Sequence, residues 1–191
     1  MVRQTIGKLA RDLMRPFRRF AGDRSGVSAV EFALILPLML TLYLGGIQLS
    51  DALTISRKVT HVTSSLGDLV TQSRSISNTD MTNILNAAAG VMAPYSSTPL
   101  KITVSGVKID DEGNATVAWS DALNTTALTR GSSIAIPDAV KQNDSFLVTA
   151  EVHYPYTPAI GYVMTGNFDL HDQFFLRPRL SDQIKRPPQF N

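Results

Sequence analysis

The sequence contains no cysteine, one tryptophan and three histidines. Without cysteine, neither a disulfide framework nor a thiolate metal site can support the fold, whatever compartment holds it. Charge is also sparse, at 18% of residues, and along the nineteen residues from Phe32 to Ser50, FALILPLMLTLYLGGIQLS, it is absent. No G-x-S-x-G, P-loop or H-E-x-x-H pattern occurs, so no motif nominates a hydrolase, a nucleotide site or a zinc-protease centre. A Ser-His-Asp triad assembled in space would leave no such mark, and an anchored hydrolase would require a polar catalytic pocket in the folded domain.

What charge there is lies unevenly. Met1 to Gly26 holds seven basic residues, Arg3, Lys8, Arg11, Arg15, Arg18, Arg19 and Arg24, against Asp12 and Asp23. That segment is therefore +5, and the remainder of a chain with net charge +2 is −3. The basic pI of about 9.0 belongs to a short leader, and the acidic bulk gives no reason to expect a nucleic-acid partner. At 191 residues there is room for one domain and an anchor.

Nineteen helical residues rise about 28 Å, close to the hydrocarbon thickness of a bilayer. Pro37, Gly45 and Gly46 would weaken such a helix in water but are tolerated in a spanning one. A secretory signal peptide is the rival reading; its apolar core is shorter, and no A-x-A site follows this run. Basic residues precede the span, and Arg57 and Lys58 are the first to follow it, which leaves the leader in the cytoplasm and the bulk outside. Glu31 is the anomaly. A carboxylate costs about 2.5 to 3.5 kcal/mol at a bilayer centre, and less towards the interface. If the chain were cut after Gly26, Val27 would gain an α-amino group, a natural partner for that carboxylate.

The stretch Gly26-Val27-Ser28-Ala29-Val30-Glu31-Phe32 resembles the prepilin-peptidase site of type IVb (Flp-type) prepilins and pseudopilins. The longer run from Arg24 through Pro37 to Leu38 resembles the TadE-like segment of tight-adherence pilus-assembly proteins; the likeness covers about thirty residues. It implies that Gly26 precedes the scissile bond, Val27 becomes the new N-terminus and Glu31 is the assembly carboxylate. Phe32 takes the aromatic place where Flp-type sites often show tyrosine. It further implies a structural protein and not an enzyme, with no metal or cofactor. Its partners would be the inner membrane, a prepilin peptidase, and other pilin or pseudopilin subunits with the Tad machinery. The alternative is an unprocessed single-pass periplasmic scaffold or binding module, in which Gly26 is a loop glycine and Glu31 snorkels to the cytoplasmic interface.

Beyond the span, Leu53, Val59, Val62, Leu66 and Leu69 continue an apolar pattern of helical spacing, predicting one helix from about Ser28 to Gln72. Asn78 or Thr79 is expected to cap a second helix reaching Ala93, with Met81, Ile84, Leu85, Ala88 and Met92 facing the core. Strands follow. Ile102 and Val104 alternate in one parity and Val107 and Ile109 in the other, which suggests a bulge at Gly106. Ala115 to Trp119, Phe146 to Tyr154 and Phe168 to Leu176 are the remaining strands, with a long connection from Asp121 to Asn143. The acidic turn Asp110 to Asn114 lacks an EF-hand's closing glutamate and reads as a solvated hairpin turn. His153 and His171 read as ordinary sheet residues, and the segment from Val152 to Pro158 as a rigid turn capping the sheet or as an exposed contact surface. The tail from Lys185 is expected to be extended, and either disordered or loosely docked. The expected class is α+β and pilin-like. Its divisions are leader 1–26, transmembrane helix 27–50, amphipathic extension 51–75 and periplasmic domain 76–191.

Overall fold

The computed structural model describes residues 24–158 and 166–187, so most of the basic leader and the last four residues lie outside what is described. The chain is α+β: α1 (Arg24–Thr71), α2 (Asn78–Gly90), β1 (Lys101–Ile109), β2 (Ala115–Leu123), β3 (Ser145–Tyr156) and β4 (Phe168–Leu176). It divides into two compact units, Met1–Ile47 and Gln48–Asn191.

In the first unit the described residues belong to α1, and their large apolar side chains stand exposed, among them Leu34, Leu38, Leu42 and Tyr43. The helix begins at Arg24, about one turn before the position expected from Ser28. First-turn amides need no intrahelical acceptor, so extending a formed helix N-terminally costs little. Pro37 sits inside α1, and its missing N–H leaves the Ala33 carbonyl without the usual donor.

In the second unit α1 buries Ile55, Val59, Val62, Leu66 and Val70. Leu53 and Leu69, expected on that stripe, are instead 52% and 42% exposed. Leu53 stands two residues before Ile55 and Leu69 one before Val70, and at about 100° per residue those offsets turn both off the packed face. Ser77, and not Asn78 or Thr79, caps α2. Its hydroxyl accepts from the Asp80 amide at 3.1 Å while the Asp80 carboxylate accepts from the Ser77 amide at 3.2 Å, a reciprocal capping box. The α2 helix ends at Gly90, short of Ala93. The chain then tightens into successive three-residue turns, with the amides of Val91, Met92 and Ala93 donating to Ala88, Ala89 and Gly90.

The four strands form one antiparallel sheet in the order β2-β1-β3-β4. One face packs under α1 and α2 through Ile102, Val104, Trp119, Phe146, Val148, Ala150 and Val152. The other carries a smaller core of Val107, Ile109, Ala115 and Leu147, covered by Ile134, Ile136 and Val140 from the β2–β3 connection. The parity switch in β1 is thus a change of which face is covered, because the strand itself never loses alternation. The register does shift between Gly106 and Val107, as expected, but the extra residue is Ala118 on β2, since Trp119 pairs with Gly106 and Val117 with Val107. Asp121 belongs to β2, so the connection starts later than expected, at Asn124; a bridge between Thr116 and Ser133 lays it along the β2 edge.

Residues 185–187 are docked, one of the two expected outcomes, and more firmly than expected. Ile184 is buried, and the Lys185 amide donates to the Arg74 carbonyl while the Lys185 carbonyl accepts from Ile76. The Trp119 indole N–H donates to the Ile184 carbonyl at 2.9 Å. An extended segment with buried backbone must pair its polar groups, and this one finds partners in the α1–α2 linker and β2. Residues 188–191 lie outside the described part.

Candidate functional site

Gly26, Val27, Glu31 and Phe32 all lie in the first turns of α1. Glu31 is four positions after Val27, so the two share a helix face. Val27 is 59% exposed and Phe32 64%. A Cβ at Gly26 would meet no atom within 4 Å, so the glycine is not required by packing. The Gly26–Val27 bond is itself helical, and a peptidase would have to unwind that turn to reach it.

From Gly26 onwards α1 is long and apolar enough to cross a membrane, and the most apolar eighteen-residue window within it is not buried by the rest of the chain. Within the apolar stretch the Thr41 hydroxyl donates to the Pro37 carbonyl at 2.8 Å, so a polar side chain is satisfied by its own helix. Residues 26–65 match the family model of TadE-like proteins. That segment resembles TadE-like proteins. The TadE-like match starts at Gly26 and takes in Val27, Glu31, Phe32 and the uncharged run, then continues over the buried stripe of the second unit to Ser65. No curated protein and no solved structure matches the chain.

Elsewhere, Asp110 and His153 are engaged in local hydrogen bonds. Asp110 accepts from the amides of Glu112 and Asn114 and from the Asn114 side chain. The Asn114 hydrogen bonds hold its carboxyl below the usual aspartate range, and its oxygens close the β1–β2 turn. His153 and His171 face each other across β3 and β4, with ring centroids 5.3 Å apart and planes 15° from parallel. His153 Nδ1 lies 2.8 Å from Asp169 and Nε2 lies 3.0 Å from Glu151. Burial alone would lower the His153 pKa, but the two carboxylates outweigh it and raise it. The sequence put each histidine on a strand; only the hairpin register brings them together. Among the described residues no group of three His, Cys, Asp or Glu side chains is placed to hold a metal.

An open cleft of about 760 Å³ runs beside the docked tail, lined in part by Trp119, Ser120, Leu128, Arg130, Phe146 and Arg186. Among the described residues no histidine or carboxylate lines it, and the Ser120 hydroxyl oxygen accepts from the Ser105 hydroxyl and the Leu128 amide.

Proposed function

We propose that the chain is a minor pilin or pseudopilin that acts in assembly of a tight-adherence (Flp) type IVb pilus. In this reading a prepilin peptidase cuts after Gly26, α1 anchors the protein in the inner membrane, and the second unit stands in the periplasm. The observation that carries it is the TadE-like match beginning on Gly26 itself, with Glu31 one turn after the new N-terminus.

The chemistry follows from the solvent. In lipid, apolar surface gives little reason for helices to associate, so packing and polar pairs must supply it. The exposed apolar surface of α1 offers the packing, and Gly45 and Gly46 allow close approach. Glu31 is the polar element. Cutting after Gly26 creates an ammonium at Val27, and pairing with such an amine in the assembly removes the cost of a carboxylate in the bilayer. Pilin-type partners, the peptidase and the Tad machinery follow from that arrangement, and the protein acts as a structural component.

The unprocessed periplasmic scaffold is favoured by one observation, the helical conformation of the Gly26–Val27 bond. Intact-mass measurement of the membrane-extracted protein, with the prepilin peptidase present and absent, separates the two. The pseudopilin reading expects loss of the 26-residue leader only when the peptidase is present; a chain beginning at Met1 in both samples would falsify it.

A further inference from the structure

The second unit begins at Gln48, which is only 3% exposed, although the uncharged run does not end until Ser50. The last residues of the uncharged run, Gln48 to Ser50, therefore belong to the folded domain itself. The Tyr156 hydroxyl lies 3.5 Å from the Gln48 carbonyl oxygen, which fixes the end of β3 beside the point where α1 enters the domain. At the opposite end of the sheet, Gly67 of α1 approaches Leu176 at the end of β4, so helix and strands are aligned over the whole height of the domain. The pole beside Gln48 comprises the end of β3, the start of β4 and the adjoining turn of α1.

That pole has the composition of a lipid interface. Leu49, Leu53 and Phe168 are 54%, 52% and 40% exposed, and Pro155 is exposed beside the buried Tyr154 and Tyr156. The described residues between His153 and Asp169 carry no charge. Tyr95, half-buried, packs on the same core. Aromatic rings with one apolar and one polar side concentrate at headgroup level. Asp51, Lys101 and Asp169 around this pole carry both signs, which suits the headgroup layer and not the hydrocarbon.

We propose that the β3–β4 pole, through Leu53, Pro155 and Phe168, rests in the phospholipid headgroup layer, so that the domain is seated on the membrane and not held away from it. This rests on the reading that α1 spans the bilayer. The absence of cysteine makes the test clean. Single substitutions Leu38→Cys, Leu53→Cys, Pro155→Cys, Phe168→Cys and Asp111→Cys are labelled with an environment-sensitive dye. Each full-length protein is reconstituted into phosphatidylethanolamine–phosphatidylglycerol vesicles, with nitroxides on the headgroup or deep in the acyl chain. The expected result is deep quenching at position 38 and headgroup quenching at 53, 155 and 168 roughly twofold stronger than at 111, the turn at the far pole. Quenching at 38 with 155 and 168 no different from 111 overturns the seating and leaves the span intact. Absence of quenching at 38 removes the span and the seating together. Positions 155 and 168 report on one pole from different strands, so a local disturbance of β4 does not decide the outcome.

Discussion

Across 65 residues of chain, Arg186 and Asp121 form a fork-to-fork ion pair, with Nη2 to Oδ1 at 2.5 Å and Nε to Oδ2 at 2.9 Å. Their side chains are 3% and 10% exposed, and Nη1 also donates to the Ile76 carbonyl. One pair thus ties the C-terminal segment to β2 and to the α1–α2 linker. Removing one partner strands a buried charge, which costs about 3–5 kcal/mol. Asp121→Ala should lower stability by that amount in urea unfolding of the detergent-solubilised protein, followed by Trp119 fluorescence. A loss below about 1 kcal/mol would mean the guanidinium finds water instead.

Two glycines separate backbone need from side-chain tolerance. At Gly106 an added Cβ would run into the Trp119 indole and the Phe146 ring, both part of the main core. At Gly67 it would meet the end of the Leu176 side chain, which can turn away. Gly106→Ala should destabilise by about 1–3 kcal/mol or more through overpacking. Gly67→Ala should cost less, because alanine gains about 1 kcal/mol of helix propensity over glycine. Equal losses in parallel melts would contradict this ranking.

The His153 network gives a pH dependence with a definite sign. Its folded pKa is raised, because hydrogen bonds and charge from Asp169 and Glu151 outweigh burial, and His171 stacks on the same ring. A raised folded value means the stabilisation is fully present below the unfolded pKa of about 6.5 and is lost as pH rises through the folded value. His153→Gln should therefore flatten the fall in stability above about pH 6.5 and leave the more alkaline end of the profile nearly unchanged. Melting temperatures of both proteins across that range provide the comparison; parallel profiles would assign the slope to other groups.

Periodicity made the helices and strands readable, and β4 was found at its observed bounds, Phe168–Leu176. Apolar spacing fixes which residues want burial but not what covers them. That is why the parity change at Val107 and Ile109 read only as a bulge, when these residues also belong to a second core under the β2–β3 connection. The docked tail was illegible for a related reason. Lys185-Arg186-Pro187 has the composition of a loose end, and its partners, Arg74, Ile76 and Asp121, lie more than sixty residues away in sequence. At the candidate site the position is reversed: Gly26, Val27, Glu31 and Phe32 are legible only as sequence, because a helix surface by itself does not display what it is for.

Glu31 offers the sharpest test of function because it stands on an exposed helix face, where substitution disturbs no core. Glu31→Ala should insert into the membrane as the native protein does, and lose its leader at the native rate if the peptidase reads Gly26. Piliation, counted by electron microscopy, should fall sharply. Glu31→Gln refines the reading. It keeps a hydrogen-bonding side chain of the same length but no charge, so if the partner is the Val27 amine of an assembling subunit, it should fail nearly as badly as alanine. Gly26→Ala supplies the complement: an added Cβ there meets no atom of the described residues within 4 Å, so an uncut chain with a native melting profile would place the defect in peptidase recognition. Normal piliation in both Glu31 variants would leave the carboxylate as a headgroup-level acid and shift the assembly role to the apolar surface of α1.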